Sequence, residues 1–288
     1  LSQDISPLLD EWPFEPGRIN VRLIQGTDGE PRIQVRLDLG LIQMHLEGRP
    51  DGRRPNGFPS LLEYFENRLD ESLMMGPDPH EGDDLAASLQ AGDPHDPQST
   101  PDHADPDDEG SDDTASSPEF SLSPEDCQAL REEAAQYYHR YVALLVLEDF
   151  EGVIRDTSRN LRVADLCREF AENPSDRTVL EQVRPYILMM RARACAGQAL
   201  KDDEPKAAVV ALEEGIESIR AHYDQVGEPE QFARSREVQL LRSMRESLVP
   251  KLPVSQKAEL RDRLKEAIAR ENYELAAILR NELRMLGD

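Results

Sequence analysis

Three cysteines and six histidines are the side chains with which this sequence could do nucleophilic or metal chemistry. Cys127, Cys167 and Cys195 are odd in number and widely spaced, and none belongs to a CxxC pair. They read as small buried hydrophobes in a reducing compartment, and neither a disulfide nor a zinc site is expected. His45 falls in an expected strand, and His139 and His222 fall in expected helices, none beside a candidate nucleophile. His80, His95 and His103 have acidic neighbours, but a metal site there would have to order a whole polar segment as it formed. The sequence has no Gly-rich phosphate loop, HExxH helix or nucleophile elbow. Carboxylates are so abundant that no catalytic pair stands out. No catalytic residue, metal or cofactor site is therefore expected, and the chain reads as a non-enzyme.

Arginine is the other chemistry-bearing type. Arg22 and Arg36 share the polar face of an expected hairpin, and Arg49, Arg53 and Arg54 follow in its last loop. Together they could contact an anion or a nucleic acid, which makes a repair accessory acting on DNA or RNA the alternative function. The plainer reading is a solvated sheet face, because no aromatic side chains interleave with these arginines as they do in single-strand-binding sheets. The chain carries 33 basic against 58 acidic residues, a net charge of -25. A protein this acidic repels polyphosphate and anionic lipid unless a local basic patch dominates, so protein partners are favoured over nucleic acid or membrane. No long apolar run or N-terminal signal pattern is present, so neither insertion nor secretion is expected, and a cytoplasmic location is the default.

The elements that would position these residues give a mainly α fold with a small N-terminal α+β module. Residues 1–18 read as an irregular arm anchored by Trp12. Residues 19–75 read as a β3α module. Alternation through Ile19, Val21 and Leu23 and through Ile33, Val35 and Leu37 brackets the turn Gly26-Thr27-Asp28-Gly29. A third strand carries Ile42, Met44 and Leu46, with a bulge or bend expected at Gly40 to account for the changed phase. Ser60 then caps a helix whose Leu61, Leu62, Phe65, Leu69 and Leu73 are expected to cover the apolar face of the sheet. Residues 76–118 hold thirteen acidic residues, seven prolines and no Lys or Arg, and read as a disordered acidic linker.

Residues 119–250 read as a helical domain. Ser123, Pro124, Glu125 and Asp126 form a strong helix start. Stripes through Leu130–Leu145 and Phe150–Ala171 predict two antiparallel helices. A third helical region opens at Ser175 and is interrupted by Pro185, and a fourth carries Ala208, Leu212, Ile216 and Ile219. A fifth runs from Pro229 through Phe232, Val238, Leu241, Met244 and Leu248. The small residues Ala192, Ala196, Ala199, Ala208 and Gly215 approximate tetratricopeptide spacing, although the proposed turn positions, Phe150 and Pro205, lie too far apart in sequence for a regular array.

The last segment, 255–288, predicts a helical hairpin displayed on a stiff joint made by Pro250 and Pro253. Leu260, Leu264, Ala267 and Ile268 form one stripe. Asn272 is a suitable N-cap, and Tyr273, Ala276, Ala277, Leu283 and Leu286 form a second, with Leu275, Ile278 and Leu279 as a further apolar edge. Its seven basic side chains are matched by seven acidic ones, so it offers no net positive footprint.

The same residues, above all "NYELAAILRNEL" from 272 to 283, resemble the UVR motif. That short UvrB/UvrC motif lies at the C-terminus of the bacterial excision-repair helicase subunit and within its partner nuclease. The resemblance implies a protein-protein docking hairpin that engages another UVR-bearing protein or a second copy of itself. Leu264, Ile268, Tyr273, Ala276, Leu279 and Leu283 are the residues expected to carry that contact. A hairpin this small buries too little apolar surface to stand alone without a staple or a partner.

Overall fold

A computed structural model describes residues 4–74, 120–248, 256–270 and 273–285. The expected linker at 76–118, the Pro250–Pro253 joint and the Ser255 and Asn272 caps lie outside the described residues. The chain is mainly helical, with one small N-terminal sheet, and divides into two compact units, Leu1–Ile187 and Leu188–Asp288.

The first unit begins with a short helix, α1 (Ser6–Glu11), inside the segment read as irregular. Three strands, β1 (Asn20–Gln25), β2 (Pro31–Arg36) and β3 (Leu41–His45), form an antiparallel sheet in sequence order. The first turn needs its glycine: Gly29 sits at φ +83°, and the Asp28 carboxylate accepts the Glu30 amide at 3.0 Å. The second turn contains no bulge. Arg36 pairs with Leu41, and the Leu37 amide donates to the Gly40 carbonyl at 2.8 Å, leaving a two-residue loop. Such a loop pairs odd positions of one strand with even positions of the next, so Val35 faces Ile42 and Ile33 faces Met44 without any irregularity. The change of phase that suggested a bulge is ordinary hairpin geometry.

Helix α2 (Leu61–Met74) starts at Ser60, whose hydroxyl accepts the Glu63 amide at 3.3 Å. Its Leu62 and Phe65 do not cover the sheet. They enter a core with Phe120, Leu122, Leu130, Val163, Leu166 and Ala171, to which no strand residue belongs. Their apolar neighbours come from the helical pair and the segments at its open end, so they lose their water against helices.

That pair is α3 (Pro124–Val146) and α4 (Phe150–Phe170). Ser123 and Asp126 make a reciprocal capping box at the start of α3, as the sequence predicts. The chain reverses through Leu147, Glu148 and Asp149, with Glu148 at φ +57° and Asp149 capping α4 through the Gly152 amide at 3.0 Å. Contacts run in opposite order along the two helices, from Arg140 with Asp156 to Ala134 with Asn160, so they are antiparallel. Leu122 and Ala171 close the open end by a short β-bridge. Asn173 and Pro174, read as a stop, also start the next element: Asn173 caps α5 (Pro174–Val179) through the Ser175 amide at 3.1 Å. A 3-10 turn, Glu181–Val183, leads into α6 (Arg184–Lys201), which holds Pro185 in its first turn, where its missing N–H costs nothing.

In the second unit, α7 (Pro205–Gln225) buries Ala208, Leu212, Ile216 and Ile219. Gly215 lies so near Ala192 of α6 that a Cβ there would overlap the alanine methyl, which explains the small residues on both helices. The helix expected after Pro229 is two helices, α8 (Pro229–Arg234) and α9 (Arg236–Leu248). Ser235 breaks it by turning extended, ψ 127°, and accepting the Val238 amide on its hydroxyl at 3.2 Å. The C-terminal hairpin is α10 (Gln256–Ala269) and α11 (Tyr273–Met285). Among the described residues no helix is long and apolar enough to cross a membrane.

Candidate functional site

The hairpin closes on itself. Leu260 (7 % exposed), Ala267 (3 %), Ala276 (9 %) and Leu279 (2 %) form an apolar cluster, with Leu264 and Leu283 packed against it, and every member belongs to α10 or α11. Positions 260, 264 and 267 on one helix and 276, 279 and 283 on the other are each a single face at helical spacing. Leu279, expected on the outward edge, is therefore inside. Ile268 (53 %) and Ile278 (55 %) remain in water, each one residue from the closing face. The Tyr273 side chain lies outside the described residues. Exposed ion pairs along α10, Lys265 to Asp262 at 3.2 Å and Arg270 to Glu266 at 2.6 Å, are intrahelical and contribute a few tenths of a kcal/mol.

The six residues expected to meet a partner thus divide by place. Leu264, Ala276, Leu279 and Leu283 hold the hairpin shut, Ile268 is free to make a contact, and Ile278 joins it. Sequence periodicity carried the faces but not which apolar neighbour turned inward.

The five arginines are not brought onto one open surface. Arg36 is 7 % exposed, its Nε donating to the Trp12 carbonyl at 2.9 Å and its Nη1 to carbonyls of the β2–β3 turn. Arg22 donates to Gln34 at 2.8 Å and stacks over the Trp12 ring at 4.3 Å. The polar sheet face, expected to be solvated, is largely covered: Arg32 and Gln34 are also more than nine-tenths buried. The N-terminal arm is part of that cover, because Trp12 offers both a ring for Arg22 and a carbonyl for Arg36. Arg49 forms ion pairs with Asp51 at 2.9 Å and with Glu133 at 3.0 Å. Arg53 and Arg54 are exposed, Arg53 standing 4.0 Å from Asp51.

A feature the sequence reading missed lies between α3 and α4, where ionic groups occupy core positions. Arg140, 1 % exposed, forms a bidentate pair with Asp156 at 2.7 and 2.8 Å and donates to the carbonyls of His45 and Gly48 at 3.1 and 2.7 Å. Arg155 bonds Asp156 at 3.0 Å and Glu47 at 2.7 Å. Glu133 takes Arg159, Arg49 and the Leu61 amide, the last at 3.0 and 3.1 Å from its two oxygens, at the N-terminus of α2 where the helix dipole favours an anion. The Tyr137 ring lies between the Arg140 and Arg159 guanidiniums, 4.8 and 3.9 Å from its centroid. Burial pulls the Arg159 pKa down to about 9. A signal was available: Arg155, Arg159 and Arg162 recur at i, i+4 and i+7 alongside an apolar stripe, with Glu133, Arg140, Asp156 and Asn160 on buried turns.

The C-terminal element is by geometry a self-closed two-helix hairpin with apolar residues left facing water. Residues 255–288 match the family described as the UvrB/uvrC motif, and the match is confined to that segment. No curated protein and no solved structure matches the chain.

Proposed function

We propose that the chain is a non-enzymatic cytoplasmic adaptor whose terminal hairpin docks a protein partner, either another UVR-bearing protein or a second copy of itself. One observation carries the reading: the hairpin completes its own small core and still leaves Ile268 and Ile278 more than half exposed. Exposed aliphatic residues beside a marginal core gain from being covered, at about 25 cal/mol per Å² of apolar surface removed from water. The body that presents the hairpin is built on the tetratricopeptide principle of small residues at helix crossings. Buried Ala192, Ala196 and Ala208 and the close approach of Gly215 to Ala192 support that likeness. The arginine reading for nucleic acid is left with Arg53 and Arg54, because the other three serve internal contacts.

The test is affinity capture by the full chain, by a chain lacking 255–288, and by Ile268→Asp combined with Ile278→Asp. Both sites are exposed, so the double variant should keep its far-UV CD and unfolding midpoint within about 0.5 kcal/mol per site. Captured partner should fall to the level of the deletion. Sedimentation of the unmodified chain separates a second copy from another protein, and undiminished capture by the double variant would refute the proposal.

A further inference from the structure

We propose that the first unit carries a binding site for a small neutral aromatic molecule, in the cleft between α3 and residues 180–187. The cleft has a volume of about 300 Å³. Ala134, Tyr138 and Tyr141 line it from α3, where they recur at i, i+4 and i+7 and so share one face. Leu180, Val183 and Tyr186 line it from the 3-10 turn and the start of α6.

Two observations separate this cleft from a packing gap that a slight shift would close. Its apolar walls keep their water: Tyr138 is 41 % and Val183 46 % exposed, and Leu180 and Tyr186 are half-buried, around a floor that includes Tyr141 at 1 %. The walls are also tied in place. Arg131 of α3 bonds Asp176 at 2.6 Å, and Arg184 bonds Asp165 of α4 at 2.7 Å and Glu181 at 2.7 and 2.8 Å. Collapse of the segment onto α3 would strain these charge-assisted bonds, so the cleft is left for a guest to fill.

The lining sets the chemistry of that guest. Its polar members are already satisfied: Asp176 neutralises Arg131, and Asn160 donates to the Ala134 carbonyl at 2.9 Å while accepting from Arg159 at 3.0 Å. No charge in the lining calls for a counter-charge, which favours a neutral molecule. The tyrosines favour a ring. Tyr138 meets Tyr141 edge-on, with centroids 5.5 Å apart and planes at 88°, and Tyr186 lies tilted against Tyr138 at 6.0 Å and 52°. A further ring in the cleft extends that edge-to-face set, an interaction that an aliphatic guest of equal size lacks. An apolar cavity of about 150 Å³ holds benzene. The larger cleft takes a fused two-ring system of the size of indole. This site does not depend on the docking hairpin, and either proposal can fail alone.

The experiment is calorimetric titration of the full chain with indole and, separately, with cyclooctanol, an aliphatic ring alcohol with the same number of heavy atoms. Saturable binding of indole with a dissociation constant of about 1 mM or below is expected, with cyclooctanol about fivefold weaker. Tyr138→Leu should weaken indole binding about fivefold, and Tyr138→Phe should stay within about twofold of the unmodified chain. Tyr138 is exposed, so both variants should keep the far-UV CD of the fold. Val210→Ala, at an exposed site in the other unit, should leave binding unchanged. The comparison of the two ligands on the unmodified chain is decisive without any variant. Absence of saturable heat with indole, equal affinity for cyclooctanol, equal weakening in Val210→Ala, or undiminished binding by Tyr138→Leu would overturn the proposal.

Discussion

The helix pair α3–α4 and the terminal hairpin α10–α11 are both two-helix units joined by a few residues, but different physics holds each together. The first is long, 23 and 21 residues, and places Arg140, Asp156, Glu133 and Arg159 within its core. The second is 14 and 13 residues, and its core is four buried aliphatic side chains with two leucines at the margin. Buried ion pairs specify one arrangement strongly when intact and penalise damage heavily, since a lone charge cannot be left in the interior. A thin apolar core specifies little and tolerates re-covering by a partner. The contrast gives the first unit the more sharply specified core and leaves the last segment a thin one.

The most severe way to break this contrast is Arg140→Ala. Asp156 would lose its bidentate partner and keep only the partly exposed Arg155, which should cost about 3 kcal/mol in urea unfolding. Arg140→Met with Asp156→Leu should recover much of that loss, because the buried charges go together. A double variant as unstable as the single would show that the pair matters for its shape and not for its charge. Next in size, Leu279→Ala should cost about 2–3 kcal/mol, confined to the hairpin. Hydrogen exchange should show α10 and α11 opening while α3 and α4 stay protected, and simultaneous opening of both would mean that the hairpin is not an independent cluster.

The mildest test is alkaline pH. Burial pushes the Cys167 thiol and the Tyr137 phenol up to about 12, and pushes the Tyr141 phenol up as well. These acids hold their protons longer when folded than when unfolded. Their stabilising contribution is whole below about pH 9 and is lost as pH rises towards 12. Arg159 works oppositely: its folded pKa of about 9 means the unfolded chain binds the extra proton above that pH, so stability there rises with pH. Three acids outweigh one base, and the urea midpoint of the first unit should fall between pH 9 and 12. Cys167→Ala should flatten that fall, and a flat profile in the unmodified chain would contradict the burial argument.

Much of the local structure was legible from residue types and spacing. Ser123 followed by Pro124 and two acidic residues marked a helix start because capping is local chemistry, and the cap is there. The Gly29 turn was legible for the same reason, as was the hairpin, whose stripes at helical spacing also carry its family likeness. Less was legible where distant segments compete. Leu62 and Phe65 fell on the apolar stripe of a helix, but whether sheet or helices would receive them was decided by segments distant in sequence. Arg36 looked like a surface cation, and only the returning Trp12 carbonyl made it a buried one. Ser235 is equally at home within a helix or at its cap.

Local patterns by themselves thus determined the helical class, the strand pairing and the place of the terminal hairpin, because periodicity and capping act over a few residues. Tertiary structure alone decided that Leu279 turns inward while Ile278 faces water. It also decided that Arg159 of α4 is paired with Glu133 in the interior. A stripe read from spacing has a width of several residues, and only the partner surface selects which of them loses its water.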